Sequence, residues 1–213
     1  MTDLFSLKPT EPAEPVTRRQ YRRGADRRQE IMEAVVTLLS DRRQEKFTTK
    51  EIAASVGVSE ACLYRHFKNK AEILAGIADF CDSAISGMCS EIDAKSGLTM
   101  RERAIVKMQA LLSFSEANPG LTRILTGEAL VYEDPSVAEH IQRIIAKAET
   151  SIRQSLKLAI IEREVAADTN ISMHANLMMS FVEGRWRRFS QSGFSAKPTE
   201  GWTAVKRLFL HIG

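Results

Sequence analysis

The stretch that most constrains this chain runs from Phe47 to Phe67, FTTKEIAASVGVSEACLYRHF. It reads as two short helices joined by a sharp turn. Thr48 and Glu51 have the spacing of a capping box, in which a hydroxyl and a carboxylate satisfy backbone N–H groups that a helix start leaves free. Ser59 is a good N-cap for the second helix. Ile52, Ala53 and Val56 give the first helix an inward face, and Leu63 and Phe67 give one to the second. Gly57 falls at the turn, where glycine supplies a left-handed backbone without a Cβ clash. Small Ala53 lets the two helices approach closely. The pattern predicts a helix-turn-helix whose second helix enters the DNA major groove.

Charge is distributed in keeping with that reading. The net charge is only +3, yet residues 17–70 hold 13 Lys/Arg against 7 Asp/Glu, while residues 71–213 hold 16 against 17. A charge run by itself is usually a solvated face, but here the excess lies where a phosphate-binding surface needs it. Residues 1–16 are acidic, with three of the six prolines, and read as disordered. Arg18, Arg19, Arg22, Arg23, Arg27 and Arg28 follow, with Tyr21 among them. They fit either a solvated helix start or an arm that tracks phosphates or dips into a minor groove.

Helical periodicity continues along the chain. Ile31, Ala34, Val35, Leu38 and Leu39 mark an amphipathic helix over about 26–41, packed behind the motif with Phe47 as a plug. Asn69 caps a fourth helix over about 70–92, with Glu72 in the reciprocal position. A fifth covers Met100–Ala117, and Asn118-Pro119-Gly120 breaks it. A sixth runs from Leu121 to about Leu130. Ser136 caps a seventh that carries Ile141, Ile144, Ile152 and Leu156. An eighth starts after Asp168–Asn170 and ends near Gln191, and a last helix carries Trp202, Val205, Leu208 and Phe209. No segment alternates as a strand does, so the expected class is all-α.

On the second helix of the motif, Ser59, Glu60, Ala61, Tyr64, Arg65 and His66 are placed to face DNA, since Leu63 and Phe67 point inward. Ala61 suits a thymine methyl, and Glu60 can accept from cytosine N4. Thr48, Thr49, Lys50, Tyr64 and His66 suit phosphates, which set register without reading sequence. Thr48 also reads as a pure cap, and Tyr64 as a packed aromatic. Lys70 stands in the first turn of the fourth helix, where a cation is unfavourable unless a phosphate docks at the same N-terminus.

Enzyme chemistry finds no foothold in the sequence. The four histidines are scattered, none at a metal-ligand spacing from Cys or carboxylate, and no Gly-rich phosphate loop is present. No cofactor or metal is expected. Three cysteines without a close pair fit a reducing cytoplasm, and no apolar run approaches the length of a membrane span.

The motif Phe47-Thr-Thr…Ile52-Ala…Gly57-Val-Ser…Leu63-Tyr-Arg-His-Phe67, followed by Lys70, resembles the DNA-binding domain of the TetR family. The resemblance implies a TetR-like fold: an Arg-rich arm over 1–24, a three-helix helix-turn-helix domain over 25–70 and a helical dimerisation and partner or ligand domain over 71–213. It implies a homodimer on palindromic double-stranded DNA. The last two long helices, Ile171–Gln191 and Gly201–Ile212, would pair across the two-fold axis, with Phe181, Trp186, Phe189, Trp202 and Phe209 as anchors. Further along, Asn118–Gly127, Phe181-Val-Glu-Gly184, Arg188-Phe189 and Pro198-Thr199 resemble the nucleoid occlusion factors of this family. That implies a nucleoid-associated protein that, when DNA-bound, inhibits FtsZ polymer assembly and septum formation over the chromosome. Phe80 and Asn118 would lie on the FtsZ-binding face, although Ala117 stands where relatives are expected to carry a basic residue. The alternative is a ligand-responsive repressor of the same fold, with a cavity lined by Met108, Phe114, Met178 and Met179.

Overall fold

Capping residues and turn glycines divide the chain into helices in the computed structural model, which describes residues 24–41, 47–130 and 134–210. The order is α1 (Gly24–Leu39), α2 (Thr49–Ser55), α3 (Glu60–Leu63), α4 (Lys70–Ala94), α5 (Met100–Ala117), α6 (Pro119–Leu125), a 3-10 turn at Glu128–Leu130, α7 (Pro135–Ile161), α8 (Ile171–Gln191) and α9 (Trp202–Leu210). The described residues contain no strand, so the all-α expectation holds. Arg18, Arg19, Tyr21, Arg22 and Arg23 of the expected arm lie outside the described residues, as do His211 and Ile212.

The head is built as its sequence pattern requires. Ile31, Val35 and Leu39 of α1 are buried together with Phe47, Ile52, Ala53, Leu63 and Phe67. Thr48 and Glu51 form the full capping box. Gly57 closes α2 at φ 68°, and the Val58 N–H donates to Ala53 C=O at 2.9 Å. Regular helix in α3 ends at Leu63, but the Phe67 N–H still donates to Leu63 C=O at 3.1 Å and carries the turn onward.

Ends or caps differ from expectation at α6, α7 and α4, each for a local reason, while α1 is shifted by two residues, to Gly24–Leu39. The sixth helix begins at Pro119, since proline at the first helical position lacks only an N–H the helix would leave free. It stops at Leu125, because Gly127 turns the chain at φ 75° ahead of the 3-10 turn. The cap of α7 is Asp134 rather than Ser136: its carboxylate accepts the Ser136 N–H at 2.9 Å, with Pro135 at the first helical position. At α4, Asn69 caps as expected, but the Glu72 carboxylate takes the N–H of Lys68 at 2.7 Å instead of that of Asn69.

Helices α4, α5, α7 and α8 pack on one another to form the body, and α6 bridges α1 to them. Ile105, Met108, Leu111, Leu112 and Phe114 of α5 are buried, as periodicity predicts. Lys107 is fully buried too, which periodicity does not predict. Its ammonium pairs with Asp93 on α4 at 2.7 Å and donates to Ser151 C=O at 3.0 Å and Ser155 Oγ at 2.8 Å on α7. A buried charge survives only when paired and hydrogen-bonded in this way. Helix α4 has the length and apolarity of a membrane span, but Ile73, Leu74, Ile77, Ala78, Cys81 and Ile85 are spent on this core.

Candidate nucleic-acid interface

The exposed surface of the head is formed where α2 and α3 meet. Ser59 caps α3 by accepting the Cys62 N–H at 3.2 Å, so Glu60 and Ala61 stand at the helix N-terminus, both exposed. One turn on, Tyr64 and Arg65 are exposed as well, with Tyr64 at 49%. Thr49, in the first turn of α2, links the two helices. Its hydroxyl donates to Glu60 Oε1 at 2.6 Å, and the Tyr64 hydroxyl donates to Thr49 Oγ1 at 3.4 Å. Glu60 and Tyr64, four residues apart, therefore share one face of α3 and are joined through α2.

Two cations brace the two ends of the motif. Arg28 on α1 lies over the Phe67 ring, 3.9 Å from its centroid, and donates to the His66 carbonyl and to Glu72 Oε1. The Lys68 N–H, with Arg28 beside it, holds the Glu72 carboxyl below its ordinary value despite some desolvation. Lys70 lies over the Phe47 ring at 3.8 Å and donates to the Phe47 carbonyl at 2.9 Å. Burial of Phe47 and Phe67 thus supplies core and cation–π platforms together.

The structure brings most of the sequence-predicted residues together. Thr48, Lys50, Ser59, Glu60, Ala61 and Tyr64 are exposed, while Thr49, His66 and Lys70 are half-buried. Thr48 is engaged in its capping box, with the Thr48 N–H donating to Glu51 Oε2 at 2.7 Å. Arg28, which the Arg run leaves open as helix start or arm, lies in α1, and only the tertiary approach of Phe67 and Glu72 gives it a clamping position. Phe80 and Asn118 are both half-buried. Asn118 caps the end of α5, donating its amide to Phe114 C=O at 2.7 Å. Among the described residues no group of His, Cys, Asp and Glu is arranged to hold a metal.

The aromatic anchors expected at a dimer interface lie elsewhere. Trp186, Phe189, Trp202 and Phe209 are buried within the chain, and Trp186 Nε1 donates to Leu111 C=O at 3.1 Å. Phe181 is half-buried and packs edge-on against Phe209 at 5.7 Å. These rings hold α8 and α9 to the body. The outward seam of α8 is instead Met173, Leu177, Ser180 and Gly184, with Leu208 exposed on α9. Met173, Leu177 and Leu208 are 63%, 55% and 73% exposed, a high exposure for large apolar side chains.

A protein-family model described as bacterial regulatory proteins of the tetR family matches residues 31–77, and one described as a tetracyclin repressor-like, SlmA-like C-terminal domain matches residues 75–211. The chain belongs to the TetR family. It is 36% identical over 189 residues to the nucleoid occlusion factor SlmA of Shewanella frigidimarina, covering 87% of this chain and 95% of that one. It is 34% identical over 191 residues to the SlmA of Alteromonas mediterranea, covering 87% and 96%. Among solved structures, the fold matches the regulator FadR of Bacillus subtilis, crystallised with stearoyl-CoA, at a TM-score of 0.70 and 17% identity over 86% of this chain and 97% of that one. It also matches AibR, crystallised with isovaleryl coenzyme A and operator DNA, at 0.62 and 19% identity over 76% and 86%. As a TetR-family member it is a DNA-binding regulator rather than an enzyme, in a family whose members act as dimers.

Proposed function

We propose that this chain is a nucleoid occlusion factor: a homodimer on palindromic chromosomal sites that, when DNA-bound, inhibits FtsZ polymer assembly and septum formation. The observation that carries the reading is the extent of the identity to SlmA, which runs through the body as well as the head and takes in 95% of the relative's length. A helix-turn-helix alone supports only a DNA-binding function. The DNA contacts in this reading are Thr48, Thr49, Lys50, Ser59, Glu60, Ala61, Tyr64, His66 and Lys70, and the FtsZ-binding face includes Phe80 and Asn118. Met173, Leu177 and Leu208 supply the apolar contacts between protomers.

The ligand-responsive alternative draws little support from the packing. Met108, Phe114, Met178 and Met179, the residues a cavity would need, are all buried in the common core. The grooves at α5–α9 and α4–α7, of about 150 and 180 Å³, are open, and none of these four residues lines them. The deciding experiment is sedimentation of FtsZ polymers with this protein, with and without its selected DNA site. Loss of polymer that depends on the DNA is expected, and polymer unaffected in both cases would sink the reading.

A further inference from the structure

The geometry points to a polar strut, Arg123–Glu128–Ser190, as the element that sets which half-site spacing the dimer accepts. Arg123 lies on α6 and is 6% exposed. Its Nη1 donates to the Leu39 carbonyl at 3.4 Å, at the very end of α1. The last carbonyls of a helix lack partners within it, and a cation there also complements the helix dipole. On the other side, Arg123 Nε stands 3.4 Å from Glu128 Oε1 as an ion pair. The other oxygen of Glu128 accepts the hydroxyl of Ser190, a buried residue one position before the end of α8. One chain of polar contacts therefore runs from the base of the DNA-binding head to the helix that carries the exposed apolar seam.

Backbone packing stiffens the same path. A Cβ at Gly120 would stand 2.1 Å from the Val36 carbonyl oxygen and 2.8 Å from Ser40 Oγ. At Gly120, helix α6 is pressed directly onto the backbone of the last turn of α1, with the Ser40 hydroxyl beside it. The head cannot swing on the body without breaking this contact or the strut.

In a dimer the two recognition helices must reach successive major grooves, about 34–36 Å apart. Each base pair added between half-sites shifts the second by about 3.4 Å and turns it by about 34°. A rigid head concentrates its binding energy at one spacing. A head on a loosened strut spreads over several, with a lower effective concentration at each. Arg123, Glu128 and Ser190 are thus positioning residues for spacing and have no part in base choice.

The test uses the full chain and duplexes carrying two copies of its selected half-site, with the spacer shortened or lengthened by one and two base pairs. Binding is read by fluorescence anisotropy at fixed salt, alongside a duplex with one half-site. The wild type is expected to lose about tenfold in affinity per base pair of misspacing. Ser190→Ala and Glu128→Gln are expected to flatten that profile to within about threefold, with single half-site binding unchanged. Glu128→Gln removes the carboxylate charge from the Arg123–Glu128 ion pair; Ser190→Ala keeps that ion pair and decides the matter if Glu128→Gln unfolds. Three results would overturn the proposal: a Ser190→Ala profile as sharp as the wild type, a wild-type profile that is itself flat, or weakened binding of Ser190→Ala to the single half-site.

Discussion

Thr49 on α2 donates its hydroxyl to the Glu60 carboxylate on α3 at 2.6 Å. This bond fixes one oxygen of an exposed carboxylate at the N-terminal end of the recognition helix and leaves the other free to accept. A carboxylate is repelled by phosphates, so if Glu60 contacts DNA the partner is a base edge. Cytosine N4 is the matching donor, whereas adenine presents its N7 acceptor beside N6. Glu60→Gln supplies an amide with donor and acceptor together, the pattern that adenine N6 and N7 match. Selection from a random duplex library is expected to exchange cytosine for adenine at one symmetric position, with a discrimination of roughly tenfold. A uniform loss of affinity with the same selected sequence would remove Glu60 from base reading.

Lys70 has one role in the structure and a second in the proposed DNA complex. Its ammonium is spent partly on the Phe47 carbonyl and ring, and it also stands in the first turn of α4, where a phosphate can be drawn by the free N–H groups. Lys70→Ala is therefore expected to lower the thermal midpoint, by the loss of a cation–π contact worth on the order of 1 kcal/mol. The same variant should reduce the slope of log K against log salt by about one unit, equally for all sequences. Thermal melts and a salt titration check the two parts separately. An unchanged salt slope with a lowered midpoint would leave Lys70 as a staple alone.

The head was legible in the sequence because its signals are local. Thr48–Glu51, Ser59 and Gly57 lie within a few residues of what they control, and Ile52 with Ala53 and Leu63 with Phe67 mark the inward faces of two short segments. What escaped depends on residues far apart in the chain. Arg28 meets His66 and Glu72, Lys107 meets Ser151 and Ser155, and Trp186 meets Leu111. No window of sequence holds both partners. Trp186, Phe189, Trp202 and Phe209, expected as dimer anchors, are covered by their own chain: periodicity marks an apolar face but is silent on whether its own chain or a second copy covers it.

Arg163 offers a stability gain that the turn chemistry predicts. It ends α7 at φ 60°, a left-handed conformation held by the Glu164 N–H donating to Ala159 C=O at 2.8 Å. Gly57, Gly97, Gly127 and Gly193 occupy comparable conformations, where a Cβ is costly. Arg163 is exposed. Arg163→Gly should therefore stabilise the fold by about 0.5–1 kcal/mol, the relief of strain outweighing the extra freedom of glycine in the unfolded chain. Denaturant unfolding measures it, and a lower midpoint would refute it. Phe194, at φ 67°, is not a second candidate, since its ring packs against Phe189 at 5.2 Å.

Gly120 and Gly87 should respond to the same substitution with opposite signs. Both lie within helices, where replacing glycine by alanine ordinarily stabilises by about 0.5–1 kcal/mol. At Gly87 on α4 an added Cβ meets nothing within 4 Å, so propensity alone acts and Gly87→Ala should raise the thermal midpoint. At Gly120 the Cβ would stand 2.1 Å from the Val36 carbonyl oxygen, and backbone cannot yield as the tip of a side chain can. To make room, α6 must withdraw from α1, lengthening the Arg123 contact to Leu39. Overpacking of this kind costs about 1–3 kcal/mol, more than propensity returns, so Gly120→Ala should lower the midpoint. Parallel thermal melts of the two variants decide it: a Gly120→Ala protein as stable as Gly87→Ala would mean that α6 rests on α1 far more loosely than the geometry requires.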